Sequence, residues 1–110
     1  MTPRLTADFW VRAYLARLRL ADIPAFVTSR GDETAGAVVV KVNRLDGTAA
    51  AFARSYDATG ARVWAPLVEG AEAVVDAAVA RQRSFDPDLW IVEVEDRKGR
   101  SLLDQPGLSD

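Results

Sequence analysis

Four valines in five positions, Val38, Val39, Val40 and Val42, constrain this chain more than any other feature. β-branched side chains are stiff and pack well on a pleated surface, so Ala37–Asn43 is predicted to be a strand. Alternation puts Val38, Val40 and Val42 on one face. Val39 and Lys41 fall on the other, where the lysine predicts a partly wet surface.

The segments around this strand predict its partners. Thr6 can cap a helix whose first turn holds Asp8, and Trp10, Val11, Tyr14, Leu15 and Leu18 form a helical stripe. That helix is expected over about residues 6–21, ended by Pro24. Residues 25–29 read as a short strand and Arg30–Glu33 as a turn. Asp46-Gly47 signals a hairpin into a third strand at 49–56. Asp57–Gly60 turns the chain into a fourth strand at 61–67, closed by Pro66. A second helix at 70–85 carries Ala71, Val74, Val75, Ala78 and Phe85 as its stripe, and a fifth strand covers 89–95. Val38, Val40, Val42, Trp90, Val92 and Val94 are the expected core. Leu102 and Leu103 could add an edge segment.

The order α-β-β-β-β-α-β predicts an α+β fold: a mainly antiparallel sheet of about five strands, joined by short hairpin-like links, with both helices packed on one face. At 110 residues the chain is long enough for one core. Residues 1–104 are read as a single domain and 105–110, with Pro106 and Gly107, as a flexible C-terminal tail.

With no Cys and no His, disulfides, thiolate chemistry, zinc sites of the usual kinds and Ser-His-Asp triads are excluded. No catalytic residues, metal ligands or cofactor site can be named, and the reading leans away from an enzyme. A net charge of −2 speaks against nucleic acid. Met1-Thr2-Pro3-Arg4 leads into the first helix without the apolar run of a signal peptide, and no segment approaches a membrane span, so a cytoplasmic location without a membrane role is expected.

Three groups of residues could carry a function. Arg30, Gly31, Asp32 and Gly36 lie in a polar loop whose glycines could expose backbone N–H groups to an anion or ligand; the commoner use of such residues is a turn. Arg54, Tyr56, Arg62 and Trp64 interleave charge and aromatics on adjacent strands and are candidate interface residues; their bland reading is a half-buried face, with Trp64 pointing inward. Asp86, Asp88, Glu93 and Glu95 make the densest acidic run, read as a turn and solvated or Arg-paired carboxylates rather than a divalent site.

Leu5 with Phe9-Trp10-Val11, Arg30-Gly31-Asp32 through Ala35-Gly36, Val40-Lys41-Val42, Arg62-Val63-Trp64 and above all Asp86 through Asp96 resemble the bacterial Domain of Unknown Function 1491 family, over roughly residues 4–104. The resemblance implies a cytoplasmic bacterial protein and transfers no activity, ligand or site. The expectation is a small non-catalytic interaction or accessory module, as a homodimer or with a protein partner. The alternative is a small-molecule or anion binder, which could be an enzyme, using the 30–36 loop and the 86–96 acidic block. Binding of single-stranded nucleic acid ranks third.

Overall fold

The structure, a computed structural model, describes residues 5–109; the Met1–Arg4 lead-in and the last residue of the tail, Asp110, lie outside the described residues. The elements follow the expected order: α1 (Ala7–Leu20), β1 (Ala25–Ser29), β2 (Val38–Asn43), β3 (Thr48–Tyr56), β4 (Arg62–Ala71), α2 (Glu72–Phe85) and β5 (Trp90–Glu95). Thr6 caps α1 by accepting the Phe9 N–H at 3.3 Å. The helix stops at Ala21, where Asp22 takes φ 58° and the Ile23 N–H returns to the Leu18 carbonyl. Pro24 thus follows a stop that is already made.

The five strands form one sheet in the order β1-β5-β2-β3-β4. All pairings are antiparallel except β2 with β5, where Lys41 lies beside Glu93. The hairpins at Asp46-Gly47 and Asp57–Gly60 join β2 to β3 and β3 to β4 as expected. Two links depart from a simple meander. The connection from β1 to β2 runs from Arg30 to Ala37, long enough to step across one strand, so β5 lies between them. The chain reaches that slot by crossing over through α2, which permits the parallel pair. β4 also continues past Pro66 to Ala71. Pro66 is tolerated because β4 is an edge strand and Leu67 is the extra residue of a bulge opposite Ala51 and Phe52.

The helices lie on opposite faces of the sheet, not on one. Trp10, Val11, Tyr14 and Leu18 of α1 pack with Val38, Val40, Val42, Trp90, Val92 and Val94. Val75 and Val79 of α2 pack with Val39, Ala49, Ala51 and Ile91. These sets are the two alternating faces of β2 and β5, and every residue of β2 is buried. The face holding Val39 and Lys41 is therefore covered rather than wet. All six expected core residues are buried, none more than 8 % exposed. Each such side chain contributes roughly 1.5–3 kcal/mol by leaving water.

α2 differs from its expected stripe. Val75 and Val79 are its buried residues, whereas Val74 and Phe85 are 57 % and 77 % exposed. The reason is the floor beneath it. Ala49, Ala51 and Ala53 of β3 offer a flat, shallow surface that a narrow seam of valine fills. The C-terminal residues also depart from expectation. Leu102 and Leu103 form no strand, and Leu103 and Leu108 are buried in the α1 core. The segment read as a flexible tail is docked as far as Ser109. Arg17 donates to Gln105 Oε1 and the Pro106 carbonyl, and Arg54 to the carbonyls of Leu108 and Ser109.

Candidate functional site

The most concentrated polar chemistry lies on the α2 face, around Lys41. This residue sits at the centre of the sheet and is 4 % exposed. Three carboxylates meet its ammonium: Asp76 at 2.6 Å and Glu72 at 2.8 Å from α2, and Glu93 at 3.2 Å from β5. Glu72 and Asp76 are one helical turn apart, so a single face of α2 brings both down onto β2. Three donors meet three acceptors, which satisfies the ammonium completely. Asn43 extends the network by donating to Glu72 at 2.9 Å.

Burial alone pulls the Lys41 pKa down. The hydrogen bonds that the ammonium donates to Asp76, Glu72 and Glu93 outweigh it and hold the lysine above its ordinary range. Lys41 is thus a fixed cation, unsuited to work as a neutral amine nucleophile or base. The carboxylates remain partly open to solvent, with side-chain exposures of 37 % for Glu72, 56 % for Asp76 and 18 % for Glu93. Asp76 and Glu93 border a shallow groove of about 350 Å³ between α2 and the β1 side of the sheet, lined also by Thr28, Ser29 and Arg83. Arg83 turns its guanidinium to the carbonyls of Arg30 and Leu89.

The 30–36 loop is built differently from an anion cradle. Its Asp32 carboxylate accepts the N–H groups of Thr34 and Ala35, the Asp32 N–H goes to the Asp88 carbonyl, and that of Gly36 to the Asp32 carbonyl. The loop carbonyls of Glu33 and Thr34 in turn accept the first N–H groups of α1, from Asp8 and Ala7. Both glycines are required by close packing. A Cβ on Gly31 or Gly36 would come within 2.6 or 2.9 Å of Trp90 Cδ1 and would also meet the Asp88 carbonyl. Trp90 donates its indole N–H to the Asp32 carbonyl at 2.7 Å, Arg30 lies over its ring, and Arg30 also pairs with Glu33 at 3.7 Å.

Arg54, Tyr56, Arg62 and Trp64 do come together. Arg54 stands opposite Trp64, and Tyr56 opposite Arg62. Their face, however, is the α1 face. Trp64 packs on Trp10 with ring centroids 5.3 Å apart, and Arg54 lies over Trp64 at 4.3 Å. Trp64 therefore follows the inward reading, while Tyr56 is 62 % exposed.

The acidic block is divided between the two ends of β5. Asp86 and Asp88 belong to the turn before it, where Asp86 accepts the Asp88 N–H. Glu93 pairs with Lys41 rather than with an arginine. Asp96 is gripped through both oxygens by Arg100, whose hydrogen bonds hold its carboxyl below the usual range. Among the described residues no three acidic side chains are grouped to hold a metal ion. No described helix is long and apolar enough to cross a membrane.

The Lys41 cluster was missed in the sequence because its members are 31, 35 and 52 positions from the lysine in the chain. Its one local signal was a lone charge in a run of valines.

Comparison with known proteins adds the family. A crystal structure of a DUF1491 family protein from Caulobacter crescentus is similar with a TM-score of 0.84 and 42 % identity, covering 94 % of this chain and 98 % of that one. An NMR structure of a DUF1491 family protein from the same organism gives 0.81 and 41 %, covering 96 % and 97 %. A solution structure of a protein from A. tumefaciens gives 0.72 and 28 %, covering 84 % and 86 %. No curated protein matches the chain. The family model described as protein of unknown function (DUF1491) matches residues 5–104, so the chain belongs to the DUF1491 family.

Proposed function

We propose that this chain is a non-catalytic interaction module of the bacterial cytoplasm, and that it meets a protein partner on the part of the sheet that α2 leaves open. The observation that carries this reading is Phe26. It lies on the α2 face opposite Glu93, yet α2 packs over β2, β3 and β4, and Phe26 is 45 % exposed on the same strand as Thr28 and Ser29, which line the groove. An exposed aromatic beside polar residues supports the reading, because aromatic side chains are enriched at protein interfaces. Lys41, the one buried amine, is locked as a cation, which supports a structural rather than a chemical role for the site. The bacterial origin of the Caulobacter and A. tumefaciens relatives supports the setting.

An anion or small molecule at Arg30, Gly31, Asp32 and Gly36 has less support, because four amides of that loop are already bonded within the protein. The two readings separate in one paired experiment. Peptide display on the immobilised chain, with Phe26→Glu as counter-target, is expected to enrich peptides of micromolar affinity, about −8 kcal/mol, that lose about tenfold on the variant. A thermal-shift panel of nucleotides, sugars and inorganic anions runs beside it. A raised midpoint with one of these, and no enriched peptide, overturns the interaction reading.

A further inference from the structure

We propose that the partner is an extended, basic peptide segment that adds to the free edge of β1 as a sixth strand and lays a cationic side chain toward the acidic groove. The proposal rests on the interaction reading above and names the chemistry of its partner. Its first support is the backbone. Glu95 donates its N–H to the Pro24 carbonyl, which sets the phase of the antiparallel β1–β5 ladder. With Ala25 opposite Val94 and Phe26 opposite Glu93, the bonded positions are 24 and 26, so the N–H and C=O groups of Ala25 and Val27 point away from β5. Among the described residues no strand lies on that side of β1.

Its second support is the contrast between the two edges. β4 is blunted by Pro66, a bulge at Leu67 and Gly70. β1, Ala-Phe-Val-Thr-Ser, has no proline, glycine or charge, and its own irregularity, at Thr28, lies beyond the outward-facing groups of Ala25 and Val27. An edge with open main-chain groups and neither proline nor charge along it is a template for strand addition.

Its third support is charge. On the α2 face Glu72, Asp76 and Glu93 converge on Lys41, Glu95 follows two places along β5, and Arg83 is the other cation at the groove: four carboxylates to two cations, an excess of two negative charges. Strands lie about 4.8 Å apart, so a side chain on an added strand stands about 10 Å from Glu93, a gap that arginine and glutamate close together. Thr28 and Ser29 lie between them as a polar ledge. A second copy of this chain fits worse. Its β1 brings no charge, and a two-fold pairing would place the two acidic grooves side by side.

The test is an NMR titration of the isotope-labelled chain with three short peptides: arginine alternating with valine, glutamate alternating with valine, and the arginine peptide N-methylated at alternate amides. The arginine peptide is expected to shift the amides of Ala25 and Val27 and slow their exchange. Affinity is expected to fall about tenfold, or 1.4 kcal/mol, on N-methylation and in Asp76→Asn, and to fall with salt, while the glutamate peptide does not bind. Val27→Pro, which removes an outward N–H and spares the β5 ladder, is expected to abolish binding, with the β5 amide spectrum reporting that the sheet is intact. Equal binding of the N-methylated or acidic peptide, shifts confined to surfaces away from β1, or β1 shifts produced by self-association alone overturn the proposal. If displayed peptides bind elsewhere while the arginine peptide does not bind, this proposal falls and the interaction reading stands. If neither binds, both fall.

Discussion

Trp64 donates its indole N–H to the Leu108 carbonyl at 2.9 Å, tying edge strand β4 to the last turn of the chain. Leu108 is itself 2 % exposed and sits with Trp10 and Tyr14 in the α1 core. The C-terminal segment is therefore part of the fold. Leu108→Ala is expected to cost about 2–5 kcal/mol, the range for emptying a buried leucine site. Urea unfolding measures it; a loss within about 0.5 kcal/mol, typical of surface substitutions, would show the segment to be an ornament.

The same contact decides the nature of Trp64. Stacked on Trp10 and covered by Arg54, it acts as core, so Trp64→Ala is expected to destabilise the monomer by about 3–5 kcal/mol. Unfolding midpoints and sedimentation, measured together, separate this from an interface role, in which association would be lost and the monomer's midpoint kept.

Much of this fold was legible because the signals were local. Val38–Val42, the Trp10–Leu18 stripe, Asp46-Gly47 and Thr6 each act through neighbours in the chain, and each specified its element. The larger misreadings were non-local. One lysine suggested a wet face on β2, because its three carboxylates come from α2 and β5. Once that face is covered, the helices must divide between the two sides. Loop 30–36 is the exposed turn expected, but the need for its glycines was hidden, because they admit Trp90, more than fifty positions away. Pro106 and Gly107 suggested fraying, and what holds them down is Arg17 and the pocket for Leu108. The candidate interface residues grouped as expected, since pairing across a hairpin is fixed by its turn. Which face they took depended on where α1 packs.

Gly31 and Gly36 offer a direct check on the loop. A methyl group at either position meets the Asp88 carbonyl backbone and the Trp90 ring, neither of which can swing away. Gly31→Ala and Gly36→Ala are each expected to cost about 1–3 kcal/mol as overpacking. Gly47→Ala is the control: it has open space but φ 90°, so its cost is expected near 1 kcal/mol. Equal effects at all three positions would mean that backbone angle, not the approach of Trp90, governs the loop.

The last prediction concerns charge and pH at Lys41. Its folded-state pKa lies above the ordinary lysine value of about 10.4, so its contribution to stability is fully present below that pH and is lost only as the pH climbs through the raised value. Between pH 6 and 9 this lysine should therefore add no slope. Removing it is another matter. Lys41→Met matches its length but leaves Glu72, Asp76 and Glu93 converging without a cation, and breaking a buried ion pair in this way costs about 3–5 kcal/mol. The carboxylates are partly exposed, so the lower end is expected. The loss has a sign that identifies its origin. In Lys41→Met the crowded carboxylates are easier to protonate, so lowering the pH toward about 4–5 should recover part of the lost stability relative to wild type. Adding Asp76→Asn and Glu93→Gln to the methionine variant should restore part of it at neutral pH as well. Urea unfolding of the three proteins between pH 4 and 9 measures both effects. A deficit in Lys41→Met that neither low pH nor the added substitutions reduce would assign the cost to packing around the methionine and remove the electrostatic account.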